Sequence, residues 1–225
     1  CIRVVKIMNV LGIETSCDET SVSVVRDGRV ILSNEVSSSL AFHKKYGGVV
    51  PEIASRMQLE AISAVAQEAL RKSRVNLKKI GLVSVTCGPG LLGSLLTGIS
   101  FAKAISLALG IPLVGVNHVY SHIYANFLNS KAVSFPFVAL VVSGGHTSLF
   151  YVADFKRIEV LGLTQDDACG EAFDKVAKIL GLGYPGGPLI ERLAKQGDSK
   201  KIKFGCSGKK QAVDFSFSGI KTAVL

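Results

Sequence analysis

The stretch NVLGIETSCDETSVSVVRDGRVILSNE, Asn9 to Glu35, decides the fold. Asn9–Glu14 reads as a buried strand, Ser21–Arg26 alternates apolar and polar residues, and Arg29–Glu35 alternates again after Asp27-Gly28. Strand side chains point to alternate faces, and Asp-Gly favours the left-handed backbone that joins two antiparallel strands. The stretch is therefore a strand followed by a hairpin. Between them runs a set of hydroxyls and carboxyls: Thr15, Ser16, Asp18, Glu19 and Thr20. Such a turn offers oxygens and N–H groups at a sheet edge, suited to a phosphate or to a cation bound to phosphate. An ordinary solvated hairpin turn is the plainer alternative.

Outward from this stretch, Pro51 opens a long amphipathic helix to about Lys72, with Ile53, Met57, Ala61, Ala64 and Val65 at helical spacing. Gly81–Thr86 reads as a strand and Leu91–Leu109 as a helix. Pro112–Val116 is a further strand, and Asn117 caps a helix from His118 to about Leu128. Strand, crossover helix and strand predict an α/β fold with right-handed parallel connections. The opening pattern then returns. Phe137–Val142, apolar throughout, reads as a buried strand, Thr147–Ala153 and Arg157–Gly162 as a second pair, and Asp167–Leu180 as a helix. Two occurrences predict two related lobes, residues 8–130 and 131–225, joined by the polar linker Asn129–Ser134.

Composition narrows the class. With 48% hydrophobic and 19% charged residues in 225, the chain carries a real core and is not intrinsically disordered. Its five cysteines (Cys1, Cys17, Cys87, Cys169, Cys206) form no CxxC pair, which argues against a disulfide framework or a cysteine zinc site and for a cytoplasmic protein. No apolar run reads as long enough to cross a bilayer, so no membrane association is expected. A net charge of +9 favours an anionic partner. The basic runs Arg71–Lys79 and Lys200–Lys210 read as solvated surface or as a polyanion footprint. The absence of Met at position 1, the natural-looking start at Met8 and an end at KTAVL within a predicted helix make a fragment the expectation.

Four further motifs carry chemistry. In CGPGLLGSL, Cys87–Leu95, the glycines serve ligand contact or tight strand–helix packing equally well; no GK[ST] follows, so it is not a Walker loop. In NHVYSH, His118 and His122 lie four apart on one helical face, a spacing that chelates a divalent metal. The residue after His118 is Val119, so the glutamate of an HExxH protease is missing, and two ligands leave the site incomplete. In VVSGGHTS, Ser143, Gly144 and Gly145 offer N–H groups without bulk for a phosphate or acyl phosphate, with His146 as a third metal partner or simply packed. In Asp166–Pro188, Asp174 projects from a helix with apolar Ala172, Phe173, Val176, Ala177 and Leu180, before a rigid Gly/Pro loop suited to a ribose or base.

These segments, with YGGVVPEIASR, FPFVALVVSGGHT, LGLGYPGGP and DFSFSGIKTA, resemble in order the TsaD family of tRNA threonylcarbamoyladenosine transferases, formerly called O-sialoglycoprotein endopeptidases. The resemblance covers Met8 to Leu225. It implies an actin-like ATPase-domain (ASKHA) fold and transfer of threonylcarbamoyl from threonylcarbamoyl-AMP to N6 of adenosine-37 in tRNAs reading ANN codons. It implies iron or zinc on His118 and His122, and substrate contacts from Val141, Val142, Ser143, Gly144, Gly145, Asp174 and Gly187. It also implies TsaB-like and TsaE-like partners beside the tRNA. Asp18 and Glu19 are the expected sources of polar assistance to catalysis. Family members continue past Leu225 with a glycine-rich segment, a substrate-binding Asn and a metal-binding Asp, so weak metal binding and little activity are expected of these residues alone. The rivals are a metalloprotease, a small-molecule kinase of the same fold, and a non-catalytic scaffold, which should lack the histidine pair.

Overall fold

The computed structural model describes residues 7–128, 133–204 and 213–225. Most of the expected linker, Cys1, Cys206, Lys209 and Lys210 lie outside these. The chain divides into two compact units, Cys1–His43 with Val49–Ala132, and Lys44–Gly48 with Val133–Leu225.

The first unit runs β1 (Asn9–Glu14), β2 (Glu19–Arg26), β3 (Val30–Ser38), α1 (Leu40–His43), α2 (Pro51–Ser73), β4 (Ile80–Gly88), α3 (Leu92–Leu109), β5 (Leu113–Asn117) and α4 (His118–Tyr124). Its sheet has the order β3-β2-β1-β4-β5, antiparallel across β1, β2 and β3 and parallel across β1, β4 and β5. The hairpin turns where the sequence places it. Asp27 and Gly28 both adopt positive φ (53° and 68°), and the Asp27 carboxylate accepts from the Met8 N–H at 2.9 Å. Alternation in the three central strands lines up across the sheet. Leu11, Ile13, Val22, Val24, Val83 and Val85 are buried in one core with Ile62, Ala66, Ala69 and Ala102 of α2 and α3. The opposite face therefore carries Gly12, Ser23 and Ser84 side by side in register.

The buried stripe of α2 is Ala54, Gln58, Ile62, Ala66 and Ala69, one position on from the stripe read in the sequence; Ala64 is exposed. The cause is Gln58, a polar residue drawn into the core. Its Nε2 lies 3.3, 2.8 and 3.1 Å from the carbonyls of Thr15, Cys17 and Glu19, so it holds the β1–β2 turn from inside. α3 corrects a second expectation, being the one helix among the described residues long and apolar enough to cross a membrane. Here it packs against β4 and α2, burying Leu95, Gly98 and Ala102. α4 stops at Tyr124 and tightens into a 3₁₀ turn, Ala125–Phe127, rather than running on as α-helix to Leu128.

The second unit repeats the opening order: β6 (Phe137–Val142), β7 (Thr147–Val152) and β8 (Ile158–Leu163) form an antiparallel sheet, followed by α5 (Cys169–Ile179), α6 (Gly186–Ala194) and α7 (Ser218–Val224). β6, read from its apolar sequence as buried, is covered on one face and exposed on the other. Val141 is buried with Phe150 and Val152, while Val138, Leu140 and Val142 are each more than half exposed. The reason is its place at the edge of a three-stranded sheet with one face open. On α5 the buried positions are Ala172 and Ala177, whereas Phe173 and Leu180 are exposed. The segment after residue 212 is tied down by acids. Asp214 accepts from the Leu163 N–H and the Gln165 amide, and Asp166 accepts from the N–H and hydroxyl of Ser218 and from Ser216 and Phe217. Desolvation works to raise the Asp166 carboxyl, but these hydrogen bonds outweigh it and hold the group well below the usual carboxylate range.

Candidate functional site

In the first unit the site is built at the carboxyl ends of the parallel strands, where α/β folds gather ligands. β1 ends on Glu14, β4 brings Thr86 beside it, and β5 delivers His118 at the start of α4. Asn117 caps that helix as its sequence predicts, Oδ1 accepting from the N–H groups of Val119 and Tyr120 at 2.9 and 3.1 Å. Replacing Asn117 with Ala is expected to cost about 1 kcal/mol, read as a lower denaturation midpoint, and to fray the turn that spaces the histidines.

His118 and His122 converge. Their Nε2 atoms are 3.3 Å apart and their rings meet edge to face with centroids 4.8 Å apart. Behind His118, Nδ1 lies 2.9 Å from Ser16 Oγ and 3.2 Å from Glu14 Oε2. Glu14 also accepts from the Ser16 N–H and the Thr86 hydroxyl, at 2.5 Å each. Burial tends to raise the Glu14 carboxyl, but the contacts with His118, Ser16 and Thr86 prevail and bring it down to about 2. Desolvation, and then the neighbouring His118, push the His122 imidazole down. Next to the pair, Gly12, Ile13, Glu14, Ser21, Ser23, Ser84, Val85, Thr86, Val116 and Ser121 line a pocket of about 180 Å³, in which five hydroxyls and one carboxylate stand among apolar side chains. It is the hydroxyl-bearing face of the sheet described above.

The turn that presents Ser16 is fixed by close packing. A Cβ on Gly90 would meet the Ser16 carbonyl oxygen at 2.5 Å, and the Leu91 N–H donates to that oxygen at 2.8 Å. Thr15 Oγ1 donates to the Ser94 carbonyl, and Gly98 leaves room for Thr15. Gly90 of the second sequence motif thus serves tight packing, as does Gly98 further along α3. Asp18 and Glu19 stand away from the imidazole contacts just described. Asp18 lines a separate pocket with Thr20, Ser37, Ser39 and Glu60, and Glu19 is exposed at the start of β2. Burial pushes the Cys17 thiol up, away from the reactive thiolate.

In the second unit the SGGH turn is largely self-satisfied. The Ser143 N–H donates to the His146 carbonyl at 2.8 Å, and Ser143 Oγ accepts from the N–H groups of Gly145 and His146. Of Ser143, Gly144 and Gly145, only Gly144 has an N–H without a partner among the described residues. The start of α5 packs on this turn. The Gly170 N–H donates to the Ser143 carbonyl, and a Cβ on Gly170 would lie 2.8 Å from Gly144 Cα. Asp174 accepts from the Gly186 N–H at 2.7 Å, so it caps α6 and sets the loop that carries Gly187. A Cβ on Gly187 would meet nothing within 4 Å.

Among the described residues no three His, Cys, Asp or Glu side chains group as a metal-ligand set. The imidazole pair itself nevertheless fits a tetrahedral cation. Two nitrogens at about 2.0–2.1 Å from zinc stand about 3.3–3.4 Å apart at the tetrahedral angle, close to the separation of the two Nε2 atoms. Sequence reasoning found the pair but passed over Glu14 and Gln58. Glu14 was signalled by its position, the last residue of a strand whose polar alternate points away from the core.

Residues 30–225 match the family model described as tRNA N6-adenosine threonylcarbamoyltransferase, TsaD. The chain belongs to the TsaD family. It is 53% identical over 222 residues to the tRNA N6-adenosine threonylcarbamoyltransferase of Clostridium kluyveri, covering 98% of this chain and 65% of that protein. With the Caldicellulosiruptor saccharolyticus enzyme of the same name it shares 55% over 218 residues, 97% of this chain and 65% of that one. The chain thus spans about 65% of the length of these TsaD relatives. Among solved structures, a ROK hexokinase from Thermus thermophilus matches with a TM-score of 0.50 at 20% identity, over 86% of this chain and 71% of that one. The fold class is α/β of the actin-like ATPase type, as the TsaD resemblance implies.

Proposed function

We propose that the protein is the catalytic subunit that transfers threonylcarbamoyl from threonylcarbamoyl-AMP to N6 of adenosine-37 in tRNAs reading ANN codons. The observation that carries the reading is the His118–His122 pair, its two Nε2 atoms 3.3 Å apart beside a hydroxyl-lined pocket. In this reading both histidines hold one divalent cation, iron or zinc. When bound, such a cation orients the acyl donor and polarises its carbonyl. The adenine N6 forms a bond to the carbamoyl carbon, the bond from that carbon to the phosphate oxygen breaks, AMP leaves with the electron pair, and N6 gives up a proton.

The remaining assignments concern this chain's own groups. Val141, Val142 and Ser143 with the Gly144 and Gly145 backbone line the substrate, the Gly144 N–H being the donor still uncommitted within the turn. Asp174 shapes the loop whose open Gly187 faces the nucleotide. Asp18 and Glu19 supply polar assistance at the rim of the first unit. Residues 8–130 and 131–225 are the two actin-like lobes. The partners are tRNA and TsaB-like and TsaE-like subunits, and the site of action is the cytoplasm, in keeping with Cys17, Cys87 and Cys169, none of which forms a disulfide.

The test is to incubate the full-length protein and its partner subunits with threonylcarbamoyl-AMP and unmodified tRNA, and to digest the tRNA for nucleoside mass spectrometry. Threonylcarbamoyladenosine is expected only when protein, donor and tRNA are all present. Cleavage of a glycoprotein by the same preparation, with tRNA left unmodified, would overturn the reading in favour of an endopeptidase.

A further inference from the structure

Glu14 is the carboxylate that the sequence motif did not single out, and its surroundings are specific. One oxygen accepts from the Ser16 N–H; the other accepts from the Thr86 hydroxyl and faces His118 Nδ1 at 3.2 Å. A carboxyl group gathering donors on both oxygens has no hydrogen to offer, so the hydrogen in the His118 contact belongs to the ring. Ser16 Oγ, 2.9 Å from the same Nδ1, accepts a share of that N–H and turns its own hydroxyl toward Cys17 Sγ at 3.8 Å. With Nδ1 protonated, the neutral ring carries its lone pair on Nε2, the atom that faces His122.

We propose that Glu14 is a positioning residue: it fixes His118 in the Nδ1–H tautomer and the ring in the rotamer that points the Nε2 lone pair at the space shared with His122. The inference rests on the reading of that pair as a cation site, and it adds the group that makes one of the two nitrogens a competent ligand. A carboxylate behind a liganding imidazole raises its basicity and locks its orientation, and losing such a partner typically costs 10–100-fold in metal affinity. Thr86 and the Ser16 N–H act one step further out, by holding the carboxylate in place.

Two measurements on the full-length protein separate this claim from the cation reading. The first is the ring nitrogen NMR of metal-free protein. His118 is expected to show a pyrrole-like Nδ1 and a pyridine-like Nε2, and Glu14→Gln to lose that preference with the backbone spectrum otherwise kept. A pyridine-like Nδ1 in the wild type overturns the proposal whatever the metal result. The second is Zn²⁺ affinity by competition with a chromophoric chelator, with the Co²⁺ ligand-field spectrum as a readout of geometry. Glu14→Gln is expected to weaken Zn²⁺ by 10–100-fold and shift the Co²⁺ bands, with Thr86→Val giving a smaller loss in the same direction should Glu14→Gln fold poorly. If the wild type and His122→Ala bind Zn²⁺ alike, the cation reading falls while the tautomer still decides the role of Glu14. If His122→Ala loses Zn²⁺ but Glu14→Gln and Thr86→Val keep wild-type affinity, the positioning role is refuted and the cation reading stands.

Discussion

Replacing His118 or His122 with Ala in the full-length protein is expected to lower threonylcarbamoyl transfer by about 10²–10³-fold, with the bound metal lost in parallel. The argument is geometric. The two Nε2 atoms share one space 3.3 Å across, so removing either leaves a single protein nitrogen there. The double substitution should be little worse than either single one, because the two rings act as a unit and losses within a unit do not add. Transfer assayed at saturating tRNA, with metal content measured on the same samples, checks both halves. Wild-type transfer by the double variant would remove the imidazoles from the chemistry altogether.

The second large effect is expected at Gly90, which reaches the site described above through Ser16. A side chain there must push against a backbone carbonyl 2.5 Å from its Cβ, and backbone cannot step aside as a flexible side chain can. Gly90→Val should therefore cost about 3 kcal/mol, at the upper end for overpacking, and appear as a clear drop in Tm. It should also displace Ser16 Oγ from His118 Nδ1, so metal affinity falls with stability. Gly48→Ala is the control, since a Cβ there meets nothing within 4 Å and should change stability by less than about 0.5 kcal/mol. Equal behaviour of the two variants would mean that the packing beneath Ser16 is looser than described.

Much of the fold was legible because it is written in short-range patterns. The strand at Asn9–Glu14 was placed to the residue, the turn at Asp27-Gly28 by its dipeptide, and the cap of α4 by Asn117 beside a hydrophobic run. What stayed hidden depends on partners distant in sequence. The stripe of α2 was misplaced because a glutamine reads as surface until the three carbonyls it serves, about forty residues away, are known. β6 reads as buried because it is apolar throughout, and apolarity alone does not reveal that the face carrying Val138, Leu140 and Val142 lies open at a sheet edge. Glu14 was overlooked for a related reason. It closes a strand that reads as framework, and its connection to His118 spans 104 positions.

The position of Gln58 has one more consequence. The path of the chain from Thr15 to Glu19 is set from the interior, by an amide reaching up from the core helix beneath it. Among the described residues the carboxyl groups of Asp18 and Glu19 accept no hydrogen bond that maintains that path; the Ser39 hydroxyl and N–H donate to the Asp18 backbone carbonyl instead. Architecture and decoration are thereby uncoupled at this loop, so exchanging either acid alters what the loop offers a visitor and leaves its scaffold intact.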